Sequence, residues 1–146
     1  METSEIFRIA MTPEEILRCL LVRAIVFMEE QHVSCAEEMD GLDRDALQLL
    51  GEIDGEPVAT ARIRFLGDVA KLERLAIRKA WRGHGHGDRL LECMISLACE
   101  RGYRKTMLHA QARLRPFYEK HGFRAEGDPF LEADIPHLLM RKELPA

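Results

Sequence analysis

The chain has 146 residues, enough for about one domain whose core withdraws roughly two thirds of the unfolded surface from water. Its 25 acidic residues outnumber its 21 lysines and arginines, and a formal net charge of -4 excludes a global basic field that would gather nucleic acid or an anionic membrane. Any anion site must be local. Cys19, Cys35, Cys93 and Cys99 lack Cys-x-x-Cys spacing and read as free thiols of a reducing compartment. Met1 to Met11 holds no basic region followed by an apolar run, and no apolar stretch approaches the roughly 20 residues of a membrane span. A soluble, unprocessed cytoplasmic protein with no nucleic-acid or membrane partner is expected.

Ile6 to Ala10 predicts a first strand. Thr12-Pro13-Glu14-Glu15 predicts a helix start, with Thr12 as N-cap, Pro13 at the first helical position and Glu15 closing a capping box. Ile16, Leu17, Leu20, Leu21, Ala24 and Ile25 recur at helical spacing and are expected to form its core-facing stripe. Ser34 to Asp45, rich in acidic and small residues, predicts a loop or a short irregular helix. Leu47 to Ile53 and Val58 to Leu66 read as strands around an Asp54-Gly55 hairpin, a turn that Glu56-Pro57 is expected to lengthen. Gly67-Asp68 marks the next turn, and Val69 to Ile77 the third strand of the meander.

That strand runs into Arg82-Gly83-His84-Gly85-His86-Gly87, and a helix from about Gly85 to Arg101 leaves it, packing through Leu90, Leu91, Met94, Ile95, Leu97 and Ala98 and stopping at Gly102. A strand over Lys105 to Gln111, a short helix from Pro116 to His121 ended by Gly122, and strands over Phe123 to Glu126 and Leu138 to Glu143 complete the chain. No repeat or linker interrupts it, so residues 1–146 read as one domain of the α+β class with a mixed sheet.

The strand, glycine-rich loop and helix carry the chemistry. Unpaired N–H groups and the positive dipole end at a helix N-terminus attract phosphate, and glycines let it approach without obstruction. The spacing Gly-x-Gly-x-Gly is neither the dinucleotide fingerprint nor a nucleotide P-loop, and it follows a hairpin meander rather than opening a βαβ unit. His84 and His86, two positions apart on a tight loop, do not supply the three or four convergent ligands of a metal site, so no metal is expected.

Arg82-x-x-Gly85-x-Gly87, preceded by Leu72-Glu73-Arg74-Leu75-Ala76-Ile77 and followed by Leu90-Leu91, resembles the central motif of the GNAT N-acetyltransferase superfamily, over nearly the whole chain. Arg113 to Phe123 resembles the family's closing motif. Ile135 to Met140 is similar to the last strand of glyphosate N-acetyltransferase-like enzymes, and Val22 to Gln31 with Glu132-Ala133-Asp134 to the ElaA-type small bacterial branch. The resemblance implies a mostly antiparallel sheet of about six or seven strands with about four helices, and acetyl-coenzyme A as co-substrate. It implies coenzyme contacts by Leu75, Ala76, Ile77, Arg82, Gly83, His84, Gly85, His86, Gly87, Asp88, Gln111 and Phe117. Asp88 opposes phosphate electrostatically and is expected to serve the first helical turn and point away from it.

Acetyl transfer to an amine needs a neutral nucleophile, a stabilised oxyanion and a proton for the departing thiolate. Tyr118 stands in the acid position, its phenol protonated at neutral pH. Two residues compete as base: Glu73, acting through water, and His137, an imidazole suited to neutral pH. Gln111 and Glu73 replace arginines that the glyphosate-type enzymes use for substrate, which disfavours a dianionic acceptor. Arg62, Arg64 and Arg74 either bind a carboxylate or pair with Glu52 or Asp54 on a solvated sheet face. Glu30, Gln31 and the acidic loop through Asp43 favour a cationic or neutral amine. A small-molecule amine is the expected partner; a non-catalytic coenzyme-binding module and a peptide substrate are the alternatives, and a homodimer the alternative to a monomer.

Overall fold

The structure, a computed structural model, describes residues 3–145. Strand β1 (Glu5–Ile9) leads to helix α1 (Pro13–Arg23), which continues as a π-helical segment (Ala24–Glu30), and helix α2 (Cys35–Glu38) follows. The meander of β2 (Leu47–Ile53), β3 (Glu56–Leu66) and β4 (Val69–Ile77) is joined through helix α3 (His86–Glu100) to β5 (Lys105–Gln111). Short helix α4 (Arg115–Glu119) and the hairpin of β6 (Arg124–Glu132) and β7 (Ile135–Glu143) end the chain. The seven strands lie in one sheet in the order β1-β2-β3-β4-β5-β7-β6, antiparallel throughout except for β4 and β5. The expected α+β architecture, with seven strands and four α-helices among the described residues, is what forms.

Local chemistry explains most boundaries. Thr12 caps α1 by accepting from the Glu15 backbone N–H while the Glu15 side chain accepts from the Thr12 N–H, the reciprocal capping box. Asp54 and Gly55 both adopt positive φ, the geometry of a tight two-residue hairpin. Pairing therefore resumes at once with Ile53 opposite Glu56, and Glu56-Pro57 does not lengthen the turn. The last hairpin is longer than expected: β6 reaches Glu132 and β7 starts at Ile135, because Ala133 and Asp134, again at positive φ, turn the chain in two residues.

The expected core stripe of α1 is out of phase. Leu17 and Leu21 are 64% and 48% exposed, whereas Cys19, Val22 and Arg23 are buried, with Val26 of the π-helical segment continuing that face. The face presents Cys19 to Ala10 and Leu50, and Val22 and Val26 to Ala76. A buried arginine belongs to it, and that arginine's partners lie on a distant loop, so apolar periodicity alone selects the wrong side. On the opposite sheet face α3 packs Leu90, Leu91, Met94, Ile95 and Ala98 against Leu49, Ala61, Ile63 and Leu72. With helices on both faces, β2 and β3 are buried along most of their length.

Candidate active site

The functional cleft begins where the sheet splits. β4 and β5 pair in parallel only from Val69 to Lys71 against Lys105 to Met107; beyond that β4 stays with β3 and β5 with β7, leaving a notch between Leu72–Ile77 and Leu108–Gln111. Within β4 the ladder to β3 slips between Thr60 and Arg62, so Arg74 and Leu75 together oppose Ala61, and Arg74 takes φ +56. This bulge interrupts the regular pairing beside the notch.

The helix that follows β4 starts at the mouth of the notch. Gly85, the N-cap of α3 at φ +82, offers no side-chain cap, and none of the N–H groups from Gly83 to Asp88 bonds within the described protein. These are the free donors and the dipole end that bind an anion. The side chains of this segment behave differently from expectation. His86 lines the cavity and pairs with Glu5, which also holds Arg89 and has its carboxyl lowered first by Arg89, then by His86 against the effect of burial. His84 lies outside the cavity lining. Arg82 donates from Nε to the Ile77 carbonyl and grips Glu30 with both terminal nitrogens at 2.5 and 2.7 Å, so its charge is neutralised across the cleft. Asp88 does not cap the first turn; it holds Lys120 and His121 at 2.8 Å each, fastening α4 to α3. The free donors of the loop are thus its backbone N–H groups.

A cavity of about 1090 Å³ runs from this helix end along the notch. Leu75, Ala76 and Ile77 line one side, and Gln111, tied to Gln31 at 2.8 Å, lines the other. Phe117 packs edge-on to Tyr118 and faces Gly87, where an added Cβ would stand 3.6 Å from its ring. Tyr118 is buried between Phe117 and Phe123, yet its hydroxyl makes no hydrogen bond among the described residues. Burial pushes its phenol up to about 12, with Arg113 opposing, so the group is a proton donor across the working pH range. No cysteine lines the cavity, and Cys19 is buried, its thiol pushed up by that burial.

The far end of the cavity brings His137 and Glu73 to the same sheet face but into different company. His137 on β7 is buried, and its Nδ1 donates to the Ile135 carbonyl at 2.6 Å, an assignment dictated by that acceptor. Nε2, the ring nitrogen left to the cavity, stands 3.5 Å from Glu132 Oε2. Oε1 of the same carboxylate meets His109 Nδ1 at 3.0 Å, and Phe130 stacks on His137 and stands edge-on to His109. Glu132 is held low, first by its hydrogen bond with His109 against the effect of burial, with Lys71 adding a nearby positive charge. His109 and Glu132 did not figure among the candidates. Two-residue alternation along β5 puts His109 on the face of Gln111, and the tight turn at Ala133-Asp134 sets Glu132 opposite Ile135, so both were within reach of strand periodicity.

Glu73 sits amid cations: Arg62 at 3.2 Å, Lys71 at 3.4 Å and Arg64 at 3.5 Å. Arg62, Arg64 and Arg74 do not pair with Glu52 or Asp54. Glu52 holds Arg8 and Arg18, while Arg62 binds Asp40 and Asp43, Arg74 binds Glu38 and Asp40, and Arg23 binds Glu38 and Asp43. Glu38, Asp40 and Asp43 of the acidic loop thus serve three arginines, while Glu37 lines the cavity without a cation partner among the described residues.

A sheet opened between two parallel strands, with a glycine-rich helix start at its mouth, is the architecture of acyl-coenzyme A N-acyltransferases. Residues 8–144 match the model of the acetyltransferase (GNAT) domain, and the chain belongs to that family. Bacillus subtilis YjcF, an uncharacterized N-acetyltransferase, is 36% identical over 92% of this chain and 97% of its own. Among solved structures, an acyl-CoA N-acyltransferase from Pseudomonas aeruginosa superposes with a TM-score of 0.85 at 30% identity, covering 97% of this chain and 99% of that one. Escherichia coli ElaA superposes at 0.84 with 25% identity, covering 97% and 100%. No helix of the described residues is long and apolar enough to cross a membrane.

Proposed function

We propose that the protein transfers the acetyl group of acetyl-coenzyme A to a primary amine of a small molecule, directly and without a covalent enzyme intermediate. The observation that carries this reading is the single continuous cavity joining the free N–H groups of α3 to Tyr118 and His137. The residues fit the coenzyme: the loop backbone suits a pyrophosphate, and the open β4 edge at Leu75 to Ile77 suits an extended amide-bearing arm. When bound there, acetyl-coenzyme A supplies the activated acyl group.

In this reading His137 Nε2 takes the proton of the amine as its nitrogen forms the new C–N bond. Glu132, already beside Nε2, stabilises the imidazolium that results. A backbone N–H at the β4 bulge polarises the acyl carbonyl. Tyr118 gives its proton to the sulfur as the C–S bond breaks. Glu73 is the weaker candidate for the base, since three cations surround its carboxylate.

The test is thiol release from acetyl-coenzyme A across amino acids, amino sugars, polyamines and peptides, repeated with His137→Ala. Substitution of the base is expected to lower kcat/KM at least about tenfold, with a loss that shrinks as pH rises and more amine is already neutral. An unchanged rate and pH profile would assign the base elsewhere, and an acetyl-cysteine intermediate would refute direct transfer. Gly85→Ala provides an independent check on the coenzyme end. A Cβ there would meet Arg89 NH1 at 2.7 Å on a backbone already at φ +82. The expected outcome is about 1–2 kcal/mol of lost stability by thermal melting, together with a higher KM for acetyl-coenzyme A.

A further inference from the structure

The cations at the acceptor end are unequally satisfied. Arg23, Arg62 and Arg74 interlock with Glu38, Asp40 and Asp43, three charges of each sign. Glu132 is engaged by His109 and His137. That leaves Glu73, which Arg62 also touches at 3.2 Å, as the one carboxylate in contact with Arg64 and Lys71.

Arg64 and Lys71 are directly opposite each other on β3 and β4. Like charges in that register repel unless an anion lies between them. Their side chains are only 21% and 15% exposed, yet neither makes a hydrogen bond among the described residues, and their contacts with Glu73 are 3.5 and 3.4 Å. Glu73 Oε1 is itself buried without a hydrogen-bond partner. All three residues line the cavity. Cationic donors that make no hydrogen bond on the wall of a cavity are groups that a ligand can satisfy.

We infer that Arg64 and Lys71 form a carboxylate subsite, and that the acceptor is a primary amine that also bears a carboxylate, of the amino-acid class. This rests on the acetyltransferase reading above. The carboxylate accepts from the Arg64 fork and the Lys71 ammonium, relieves their mutual repulsion, and positions the amine towards His137. A site built around such donors discriminates strongly against an analogue without the matching group.

The experiment measures kcat/KM for amino acids whose carboxylate stands one to four carbons from the amine, each against its decarboxylated amine and its methyl ester. At least one amino acid is expected to exceed both counterparts by about tenfold to a hundredfold. Lys71→Met, and separately Arg64→Gln, should raise the KM for that acceptor about tenfold without moving the KM for acetyl-coenzyme A. Lys71→Met should leave the melting temperature unchanged or raise it, because it removes a repulsion; this separates loss of the subsite from loss of the fold. Lys71→Glu should reverse the preference in favour of the decarboxylated amine. Transfer with no preference for the carboxylate, or a preference that survives both neutral variants, overturns the subsite alone. Absence of transfer to every amine, with coenzyme binding intact, overturns the acetyltransferase reading and the subsite with it.

Discussion

Tyr118→Phe should lower kcat by about a hundredfold to ten-thousandfold, the range associated with one positioned proton donor, while the KM for acetyl-coenzyme A changes little. The side chain is buried between two phenyl rings, and the substitution keeps the ring that packs there while removing only an oxygen without a hydrogen-bond partner among the described residues. Stability should therefore change little, since no hydrogen bond among the described residues is lost. The phenol lies near 12 in the protein, so the loss should be uniform from about pH 6 to pH 9 and show no titration of its own. Steady-state thiol release, equilibrium coenzyme binding and a thermal melt together decide the matter. Retained turnover would make Tyr118 a packing residue, and lost turnover with lost coenzyme binding would make it part of the binding wall. If no amine is a substrate of either form although both bind the coenzyme, the chain is a coenzyme-binding module.

What could be read from the sequence follows the range of the interactions involved. The turn at Asp54-Gly55, the cap at Thr12 and Glu15, and the passage from β4 through Gly85 into α3 are set by neighbours in the chain, and they form at the expected residues. Apolar spacing does not mark the buried face of α1 because that face includes Arg23, whose partners Glu38 and Asp43 stand 15 and 20 positions away. Periodicity of apolar residues carries no trace of a buried ion pair. The π-helical segment beyond Arg23 adds a second source of drift, since its wider turn breaks the 3.6-residue repeat on which the stripe was counted. In the site, the motif locates the glycine-rich backbone, while the partners of its side chains are remote: Arg82 is held by Glu30, 52 residues earlier, and His86 by Glu5, 81 residues earlier. The roles of Tyr118 and His137 came from resemblance. The structure adds what resemblance did not supply, a free phenolic hydroxyl and an imidazole whose Nδ1 is fixed by the Ile135 carbonyl.

The largest effect on stability is expected at Arg62, whose side chain is fully buried on β3. Its terminal nitrogens hold Asp40 at 2.8 and 3.0 Å and Asp43 at 3.0 Å, with Glu73 at 3.2 Å. Arg62→Met keeps much of the volume but leaves those carboxylates facing one another, and removing one partner of a buried ionic network costs about 3–5 kcal/mol. For a chain of this size the melting temperature should fall by roughly 6–20 °C. The pH dependence identifies the cause. Asp40 is held well below the ordinary carboxylate range, chiefly by its hydrogen bonds to Arg62, and Asp43 is also lowered, its bonds to Arg23, Gln48 and Arg62 outweighing the effect of burial. A depressed carboxyl stabilises the fold fully above its unfolded value, near 3.9, and loses that contribution as pH falls through the folded value. The native protein should thus lose stability progressively below about pH 4, while the variant, lacking the depression at Asp40, loses less over the same interval. The gap in melting temperature between the two should narrow on acidification. A gap independent of pH would mean that Arg62 acts through packing of its aliphatic stem, and the loop from Glu38 to Asp43 would then be held over the sheet chiefly by Arg23 and Arg74.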